Sequence, residues 1–177
     1  LNSLKYGLRG IPRISEEIQI MRDIFLCEET NTKIHFSTIS TKNSVDLIRD
    51  AKLKGLEITS DVSSYHLHLN ENDMKFPSTN FKVFPPLRSK YDTLALINGL
   101  KDGTIDSISS NHNPQNIECK DCEFELANFG IINLETSFSI CNTFLSKYLD
   151  LETLIDKIST TPRLISKINL NSIKEGN

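Results

Sequence analysis

Helical and strand patterns alternate along this chain, and that alternation restricts its fold more than any other feature of the sequence. Apolar residues recur at helical spacing in five stretches, and short apolar or alternating runs typical of strands separate the first four. The helical stretches are about 15–29, 41–55, 89–101, 134–149 and 150–158, and the strands are about 33–40, 56–62 and 105–110. This rhythm is typical of parallel α/β units. Because three strands are few, and a complete eight-stranded barrel takes about 250 residues, the sequence predicts half of an α/β barrel.

Residues suited to helix ends support these assignments. Thr41, Ser89 and Asp150 each stand just before a helical stretch, where a side-chain oxygen can accept a hydrogen bond from a free backbone N–H. Gly55 follows the second stretch, as glycine commonly follows the last turn of a helix. Pro162 suits the first turn of a last helix.

The composition is that of an ordinary globular protein, with 177 residues, 38% apolar, 24% charged and a net charge of −3. No basic cluster indicates nucleic-acid binding, and no apolar run approaches the roughly 18 residues of a membrane span. We find no internal repeat or linker and interpret residues 1–177 as a single unit. Leu1 is not an initiator methionine and no signal segment follows it, so we expect an internal piece of a longer chain.

The four cysteines, Cys27, Cys119, Cys122 and Cys141, are a poor disulfide framework for a chain of this size. Reduced thiols, and with them a cytoplasmic location, are the simpler expectation. Cys119 and Cys122 form one C-x-x-C pair, but no second pair completes a metal site. We expect this pair in an exposed loop, with metal binding or redox activity as the alternatives.

The most informative local stretch is G-L-K-D-G-T-I-D-S-I-S-S-N-H-N-P-Q, residues 99–115. A helix end and the Gly103 turn lead into a short strand, which places Asn111 and His112 at its C-terminal end. An Asn-Pro pair then interrupts the strand. Because α/β barrels keep their chemistry at the C-terminal ends of their strands, Asn111 and His112 are candidate site residues.

This stretch resembles a signature of the dihydroorotases, the zinc amidohydrolases of pyrimidine synthesis, which has roughly the form D-G-T-I-D-x-I-A-T-D-H-A-P-H. Further pieces resemble the same family, in the same order along the chain. They are G-L-R-G-I-P (7–12), E-E-I-Q-I-M-R-D (16–23), H-F-S-T-I-S-T-K-N-S-V-D-L-I-R-D-A-K (35–52), G-L-E-I-T-S-D-V (55–62), N-F-K-V-F-P-P-L-R (80–88), E-F-E-L-A-N-F-G-I-I-N-L-E-T (123–136) and I-K-E-G-N (173–177). So many ordered pieces are a more specific signal than any one motif.

The resemblance implies a (β/α)₈ TIM barrel with a small β-sandwich built from both chain ends, and this chain would be the second half of that barrel. It implies an enzyme in which one or two zinc ions activate a water for attack on the ring amide of dihydroorotate, or close N-carbamoyl-aspartate in the reverse reaction. The N-terminal half of the barrel, the sandwich, the H-x-H metal motif and the mid-barrel ligands would lie outside this chain.

Four positions depart from the chemistry that the resemblance implies. Thr38 stands where the family has a metal-binding His, and a hydroxyl is a poor zinc ligand beside imidazole. Asn111 stands where the family has its catalytic Asp, and a neutral amide cannot serve as a general base. Phe84 replaces an expected Asn at the substrate, and Gln115 replaces an expected His. We therefore expect zinc binding to be weak or absent.

Other family positions are kept. The backbone of Phe129 and Gly130 would border the substrate pocket, and His112 follows the catalytic position. His112 is either a general acid or base, or a hydrogen-bonding residue beneath the mouth of the barrel.

Three further groups of residues are candidates for metal binding or catalysis. His35 lies in the resembling strand and is interpreted as structural. His66 and His68 alternate in Y-H-L-H-L and would share one face of an extended segment with the spacing of a zinc pair, although the resemblance places them in a loop that does not bind the catalytic metal. Asp61 and Asp106 lie on strands and could be barrel carboxylates.

Two interpretations explain a retained framework with altered chemistry. In the first, the protein has lost catalysis and serves as a structural partner of aspartate carbamoyltransferase, as non-catalytic members of the family do. In the second, it is a working dihydroorotase or related zinc cyclic amidohydrolase whose metal ligands lie before Leu1. Binding of another metabolite in the same pocket is a third. We also expect a homo-oligomer, and we expect residues 1–177 alone to aggregate or dimerise, because half a barrel exposes sheet edges and apolar faces.

Overall fold

The computed structural model describes residues 2–169, so the resembling piece at 173–177 lies outside the described residues. Short 3₁₀ turns lie between several of the regular elements, and a π turn joins the last two helices. The helices are α1 (Asn2–Lys5), α2 (Ile14–Thr30), α3 (Lys42–Leu53), α4 (Lys90–Lys101), α5 (Ser137–Leu145), α6 (Leu151–Ile155) and α7 (Thr161–Ile165), and the strands are β1 (Ile34–Phe36), β2 (Ile58–Ser63) and β3 (Ser107–Ser109). None of the helices among residues 2–169 has both the length and the apolar character needed to cross a membrane.

The three strands form a parallel sheet in the order β1-β2-β3. Ile34 of β1 pairs with Ile58 of β2, and Val62 of β2 pairs with Ile108 of β3. Helix α3 connects β1 to β2, and helix α4 connects β2 to β3, as parallel strands require a crossover. The predicted parallel α/β architecture is confirmed, and these units form a fragment of a barrel.

The two faces of the sheet differ because successive side chains of a strand point to opposite sides. On one face, Phe36, Val62 and Ile108 are buried against the helices, and each large aliphatic or aromatic side chain buried there contributes about 1.5–3 kcal/mol. The helical side of this core consists of Ile20, Ile24, Val45, Ile48, Leu96, Ile97 and Leu100. The register places His35 and Asp61 on the opposite, polar face.

The predicted helix caps are confirmed. Thr41 accepts a hydrogen bond from the Ser44 N–H, and Asp150 accepts one from the Thr153 N–H. Ser89 forms a reciprocal capping box with Asp92 at the start of α4. These contacts satisfy backbone donors that the first turn of a helix leaves free.

Several predicted boundaries are wrong, for reasons that involve the backbone. Strand β1 ends at Phe36, because Thr38 adopts a left-handed conformation (φ 55°) that a strand cannot contain. The helix predicted from 134 begins at Ser137, after a turn in which the N–H groups of Asn133 and Leu134 donate to the ring of His112.

Candidate active site at the ends of the strands

Thr38 and Asn111 follow the C-terminal ends of β1 and β3, where the sequence predicts the site. Both residues have left-handed backbone conformations, with φ of 55° and 43°. Positive φ is uncommon outside glycine, and for a β-branched residue such as Thr it is a conformational outlier. The chain therefore turns sharply at both positions, just after strands β1 and β3 end.

Asp61 holds the strand ends together. It is 6% exposed, and it accepts hydrogen bonds from the backbone N–H of Thr38 at 3.0 Å and from the hydroxyl of Ser109 at 2.7 Å. Its second oxygen lies 3.0 Å from Nε2 of His35. Burial opposes ionisation of Asp61, but the hydrogen bonds from His35, Ser109 and Thr38 outweigh it and hold the pKa of the carboxyl below its usual value. We call these four residues the Asp61 cluster.

His35 has both ring nitrogens in contact with neighbours. Nε2 faces Asp61, and Nδ1 lies 2.8 Å from the hydroxyl of Thr59. With neither nitrogen free to meet a substrate, His35 braces β1 against β2, in agreement with its structural interpretation.

The side-chain amide of Asn111 is committed to two acceptors. Its Nδ2 donates to the hydroxyl of Tyr65 at 2.6 Å and to the backbone carbonyl of Phe84 at 3.1 Å. Burial raises the pKa of Tyr65, although hydrogen bonds involving Ser63 and Asn111 oppose the shift. An amide in this arrangement donates hydrogen bonds and has no lone pair on nitrogen that could accept a proton.

His112 is exposed, yet its ring is held in a defined tautomer. Its Nδ1 accepts from the backbone N–H of Asn133 at 3.0 Å and from that of Leu134 at 3.1 Å. Because Nδ1 is an acceptor here, the proton of the neutral ring lies on Nε2. His112 thus presents an N–H donor at the mouth, and it could act as a base only after both backbone hydrogen bonds are broken.

The predicted pocket residues lie on two loops that meet beside Asn111. The rings of Phe84 and Phe129 pack edge to face at 5.7 Å, and Phe84 remains 63% exposed. The Gly130 N–H donates to the carbonyl of Lys82, whose ammonium group lies 4.8 Å from the centre of the Phe129 ring. This arrangement gives the mouth an aromatic wall next to the amide of Asn111.

Gly130 and Gln115 fix the second loop. A Cβ at Gly130, where φ is 147°, would stand 2.2 Å from the carbonyl oxygen of Asn113, so only glycine fits. Gln115 donates to the side chain of Asn113 and accepts from Asn128. The side chain of Gln115 is therefore engaged with its own loop.

The interpretation of His66 and His68 as a pair on one face of an extended segment is wrong. Residues Ser64–Leu67 form a 3₁₀ turn, which rotates the two rings apart. His66 is 1% exposed between the hydroxyl of Ser63 and the carbonyl of Pro86, and burial lowers its pKa to about 4. His68 stacks on the ring of Phe144.

The remaining candidates lie away from the Asp61 cluster. Cys119 ends a short 3₁₀ turn and Cys122 is exposed, as expected of a loop. Asp106 accepts hydrogen bonds from Lys52 at 2.7 Å and from the N–H of Ser60, contacts that join α3 and β2 to the start of β3. These are structural contacts.

A zinc site would need several His, Cys, Asp or Glu side chains around one point. Among residues 2–169, no group of three or more such side chains could hold a metal ion. Thr38 brings only a hydroxyl, which lies 3.4 Å from Asp61, and Asn111 brings an amide that is already bound. The described residues therefore do not fit a zinc centre by themselves.

Sequence reasoning missed Asn133. This side chain is 2% exposed, and its amide donates to the hydroxyl of Ser64 and to the carbonyl of Ser110, both at 2.6 Å. It connects the loop after β2 to the end of β3 and positions the backbone N–H that binds His112. The signal was a single polar residue inside the apolar run I-I-N-L.

A cavity of about 500 Å³ opens beside the Asp61 cluster, between the sheet and the C-terminal helices. His35, Asp61 and Ser109 form its polar side, and Phe138 and Ile165 contribute to its apolar side. The cavity can hold a small molecule beside the carboxylate of Asp61. The Thr38 N–H and the Ser109 hydroxyl already donate to that carboxylate.

Comparison with known proteins gives close relatives along nearly the whole chain. A dihydroorotase of Caldanaerobacter subterraneus subsp. tengcongensis is 44% identical over 172 residues, which are 96% of this chain and 40% of that protein. This chain thus spans about two fifths of the length of the relatives that it matches. No family model matches the chain.

Solved structures show the same fold. The L-hydantoinase (dihydropyrimidinase) of Arthrobacter aurescens superposes with a TM-score of 0.80 at 26% identity, over 87% of this chain and 35% of that one. An inactive dihydroorotase-like domain of a CAD-like multifunctional protein from Chaetomium thermophilum superposes with a TM-score of 0.61 at 25% identity, over 83% of this chain and 40% of that one.

Proposed function

We propose that this chain, which is 44% identical to a dihydroorotase over 40% of that protein, belongs to the dihydroorotase family and is part of a dihydroorotase-type barrel with impaired catalysis. The reaction concerned is cyclic amide hydrolysis, which interconverts dihydroorotate and N-carbamoyl-aspartate. On this proposal the protein works in pyrimidine synthesis through its surface rather than through turnover.

The observation that carries the proposal is the state of Asn111. Its amide donates to Tyr65 and to the carbonyl of Phe84, at the position where a catalytic carboxylate is expected. A neutral amide is too weak a base to take a proton from an attacking water, as a carboxylate there would. Loss of general-base catalysis alone removes a factor of roughly 10²–10⁴ in rate.

Thr38 supports the same conclusion. Its backbone N–H and its hydroxyl both face Asp61, so its polar atoms serve the Asp61 cluster. The hydroxyl is a weak substitute for an imidazole ligand. Thr38 and Asn111, the two positions where catalytic groups are expected, thus have structural roles at the mouth of the barrel.

The partner that we propose for the impaired protein is aspartate carbamoyltransferase. An inactive dihydroorotase-like domain occurs in a CAD-like multifunctional protein of Chaetomium thermophilum, and its fold is similar to this chain. That example supports a role in which a dihydroorotase-like barrel is kept without its own turnover.

A second candidate function is a working cyclic amidohydrolase with metal ligands outside these residues. The turns at Thr38 and Asn111 favour it, because both keep a left-handed backbone. Strained conformations of this kind are concentrated at functional sites.

The test compares the full-length natural protein with its double variant Thr38→His/Asn111→Asp. Bound zinc is measured by elemental analysis, and dihydroorotate hydrolysis is followed spectroscopically with and without added zinc. Lys33→Ala, on an exposed ion pair with Glu57, is a matched surface control.

We expect no turnover from the natural protein or from the control, and measurable zinc-dependent turnover from the double variant. Zinc-dependent turnover by the natural protein would exclude the impaired-enzyme proposal and support the second candidate. Co-sedimentation with the aspartate carbamoyltransferase of the same organism tests the partner separately, and failure to co-sediment at micromolar concentrations would exclude that partner.

A further inference from the structure

The cysteines that reach solvent in residues 2–169 lie together in one turn. Cys119 is partly exposed and Cys122 is exposed, whereas Cys27 and Cys141 are buried, and all four thiols are free. Residues Ile117–Cys119 form a 3₁₀ turn, and the sulfur of Cys122 lies 3.7 Å from the carbonyl oxygen of Cys119. The thiol of Cys122 is therefore folded back over the residue that carries the second accessible thiol.

This turn belongs to the connection between β3 and α5, which begins at the C-terminal end of β3. In an α/β barrel, the loops that follow the strands build the face at which substrates enter, and connecting loops run over the surface. The turn therefore has its place at the solvent-facing mouth of the complete barrel, where a dissolved oxidant reaches it.

Lys120, between the two cysteines, joins the two loops that form the aromatic wall of the mouth. Its ammonium group donates to the backbone carbonyls of Thr79 at 3.0 Å, Asn128 at 2.9 Å and Lys82 at 3.3 Å. Burial and the charge of Lys82 lower the pKa of Lys120, and the neighbouring Cys122 opposes that shift. The group that connects the loops thus lies close to a thiol.

The backbone of the same turn makes two further contacts with these loops. The carbonyl of Cys119 accepts from the N–H of Asn128 at 3.0 Å. The carbonyl of Lys120 accepts from the hydroxyl of Thr79 at 2.6 Å. A change in the conformation of the turn is therefore transmitted to both sides of the aromatic wall.

We propose that Cys119 and Cys122 are a reversible dithiol–disulfide pair that alters the packing of the aromatic wall when peroxide is present. The thiolate of Cys122 attacks one oxygen of hydrogen peroxide, the O–O bond breaks, and the hydroxide that leaves takes a proton to become water. The thiolate of Cys119 then attacks the resulting sulfenic acid, the S–O bond breaks, and a second water leaves. Two thiols are oxidised to one disulfide while one peroxide is reduced to two waters. An external dithiol reverses the reaction by thiol–disulfide exchange.

Formation of this disulfide changes the contacts of the turn. The sulfur of Cys122 has to leave the carbonyl of Cys119 and face its thiol, because a disulfide accepts only a narrow range of Cβ separations and dihedral angles. The ring that closes contains Lys120, whose backbone moves with it. The contacts of the ammonium group then weaken and the aromatic wall loosens. This proposal does not depend on whether the protein has catalytic activity.

The first experiment identifies the disulfide in the full-length protein by treatment with hydrogen peroxide, alkylation with iodoacetamide, digestion with trypsin and mass spectrometry. Trypsin cleaves after Lys120, so the disulfide keeps peptides 102–120 and 121–147 joined until it is reduced. The second peptide also contains Cys141, and the variants Cys119→Ser and Cys122→Ser therefore establish which thiols are joined. The buried Cys27 and Cys141 are internal controls.

We expect joined peptides from the natural protein, separation of these peptides by dithiothreitol, and no joined peptides from either variant. In Cys119→Ser, dimedone should trap the sulfenic acid of Cys122. The internal controls should stay reduced. Thiols at Cys119 and Cys122 that remain reduced in excess peroxide, or that oxidise without joining the two peptides, would overturn the proposal.

The second experiment tests the connection to the wall by hydrogen exchange of the Asn128 and Gly130 amides, which donate to the carbonyls of Cys119 and Lys82. We expect exchange about three- to tenfold faster in the disulfide form than in the reduced form, the effect of losing one hydrogen bond. Lys120→Met should accelerate the same amides without oxidation, and Lys147→Met is the matched control outside this loop. Equal exchange in the reduced and disulfide forms would exclude the connection to the wall.

Discussion

Removing the carboxylate of Asp61 should destabilise the protein more than neutralising it. In Asp61→Ala the Thr38 N–H, the Ser109 hydroxyl and the His35 ring lose their common acceptor, at original distances of 3.0, 2.7 and 3.0 Å. Since Asp61 is 6% exposed, water cannot fully replace it. Three lost hydrogen bonds, at about 0.5–1.5 kcal/mol each, predict a loss of about 2–4 kcal/mol in the free energy of unfolding.

Asp61→Asn should cost only about 1 kcal/mol, within the range of a single hydrogen bond. The oxygen of the amide can still accept from Thr38 and Ser109. Its nitrogen would face Nε2 of His35, which can accept once the ring proton moves to Nδ1, where the Thr59 hydroxyl lies at 2.8 Å. The geometry therefore offers the amide a complete set of partners.

The pH dependence provides an independent check on the same residue. The pKa of Asp61 is lower in the folded protein than its ordinary value of 3.8. Ionised Asp61 thus stabilises the fold fully above that ordinary value, and the contribution is lost as the pH falls through the folded value. The stability gap between the natural protein and Asp61→Asn should be constant above about pH 5 and should shrink below 3.8.

The assay is urea unfolding of the full-length protein and both variants from pH 7 down to the lowest pH at which each remains folded. Equal destabilisation by Asn and Ala would refute the partner exchange at His35. A stability gap that does not change with pH would refute the role assigned to the charge of Asp61.

Two further predictions concern the loops around the mouth. Gly130→Ala should lower the free energy of unfolding, measured by thermal melts, by more than about 2 kcal/mol, because its Cβ would stand 2.2 Å from the Asn113 carbonyl oxygen. The control Gly103→Ala, at a position with a φ of 81° and open space around it, should cost only about 1 kcal/mol in the same measurement. Equal losses would contradict the steric argument. The buried His66, whose pKa is lowered from 6.5 to about 4, should make stability fall as the pH drops from 6.5 towards 4, because the unfolded chain takes up a proton that the folded protein excludes. His66→Gln should remove that part of the slope, and an unchanged slope would count against the assignment.

The order of the elements could be predicted because its signals are local. Cap residues such as Thr41 and Ser89 act within one turn of their own helix, and apolar spacing selects the buried face. The parallel order followed from the alternation of helices and strands. Strand ends could not be predicted, because the conformation of Thr38 depends on its contact with Asp61, 23 residues away.

The candidate site was only partly predictable for the same reason. Resemblance selected Asn111 and Thr38, but their present partners, Tyr65 and Asp61, come from another strand and its following turn. His66 was misplaced because a 3₁₀ turn and an extended segment share similar short patterns. Asn133 gained its importance only when folding brought it to Ser110.

The backbone at Thr38 and Asn111 decides how the double-variant experiment is interpreted. Left-handed backbone is several-fold enriched for Asn, Asp and His, and it is unfavourable for a β-branched Thr. The turn at Thr38 persists with such a residue because the Asp61 carboxylate holds its N–H, and that contact does not involve the side chain. Thr38→His and Asn111→Asp should therefore keep the left-handed backbone conformation at both positions. If the variant remains inactive while folded, the missing chemistry lies in groups outside these residues, and not in misplaced turns.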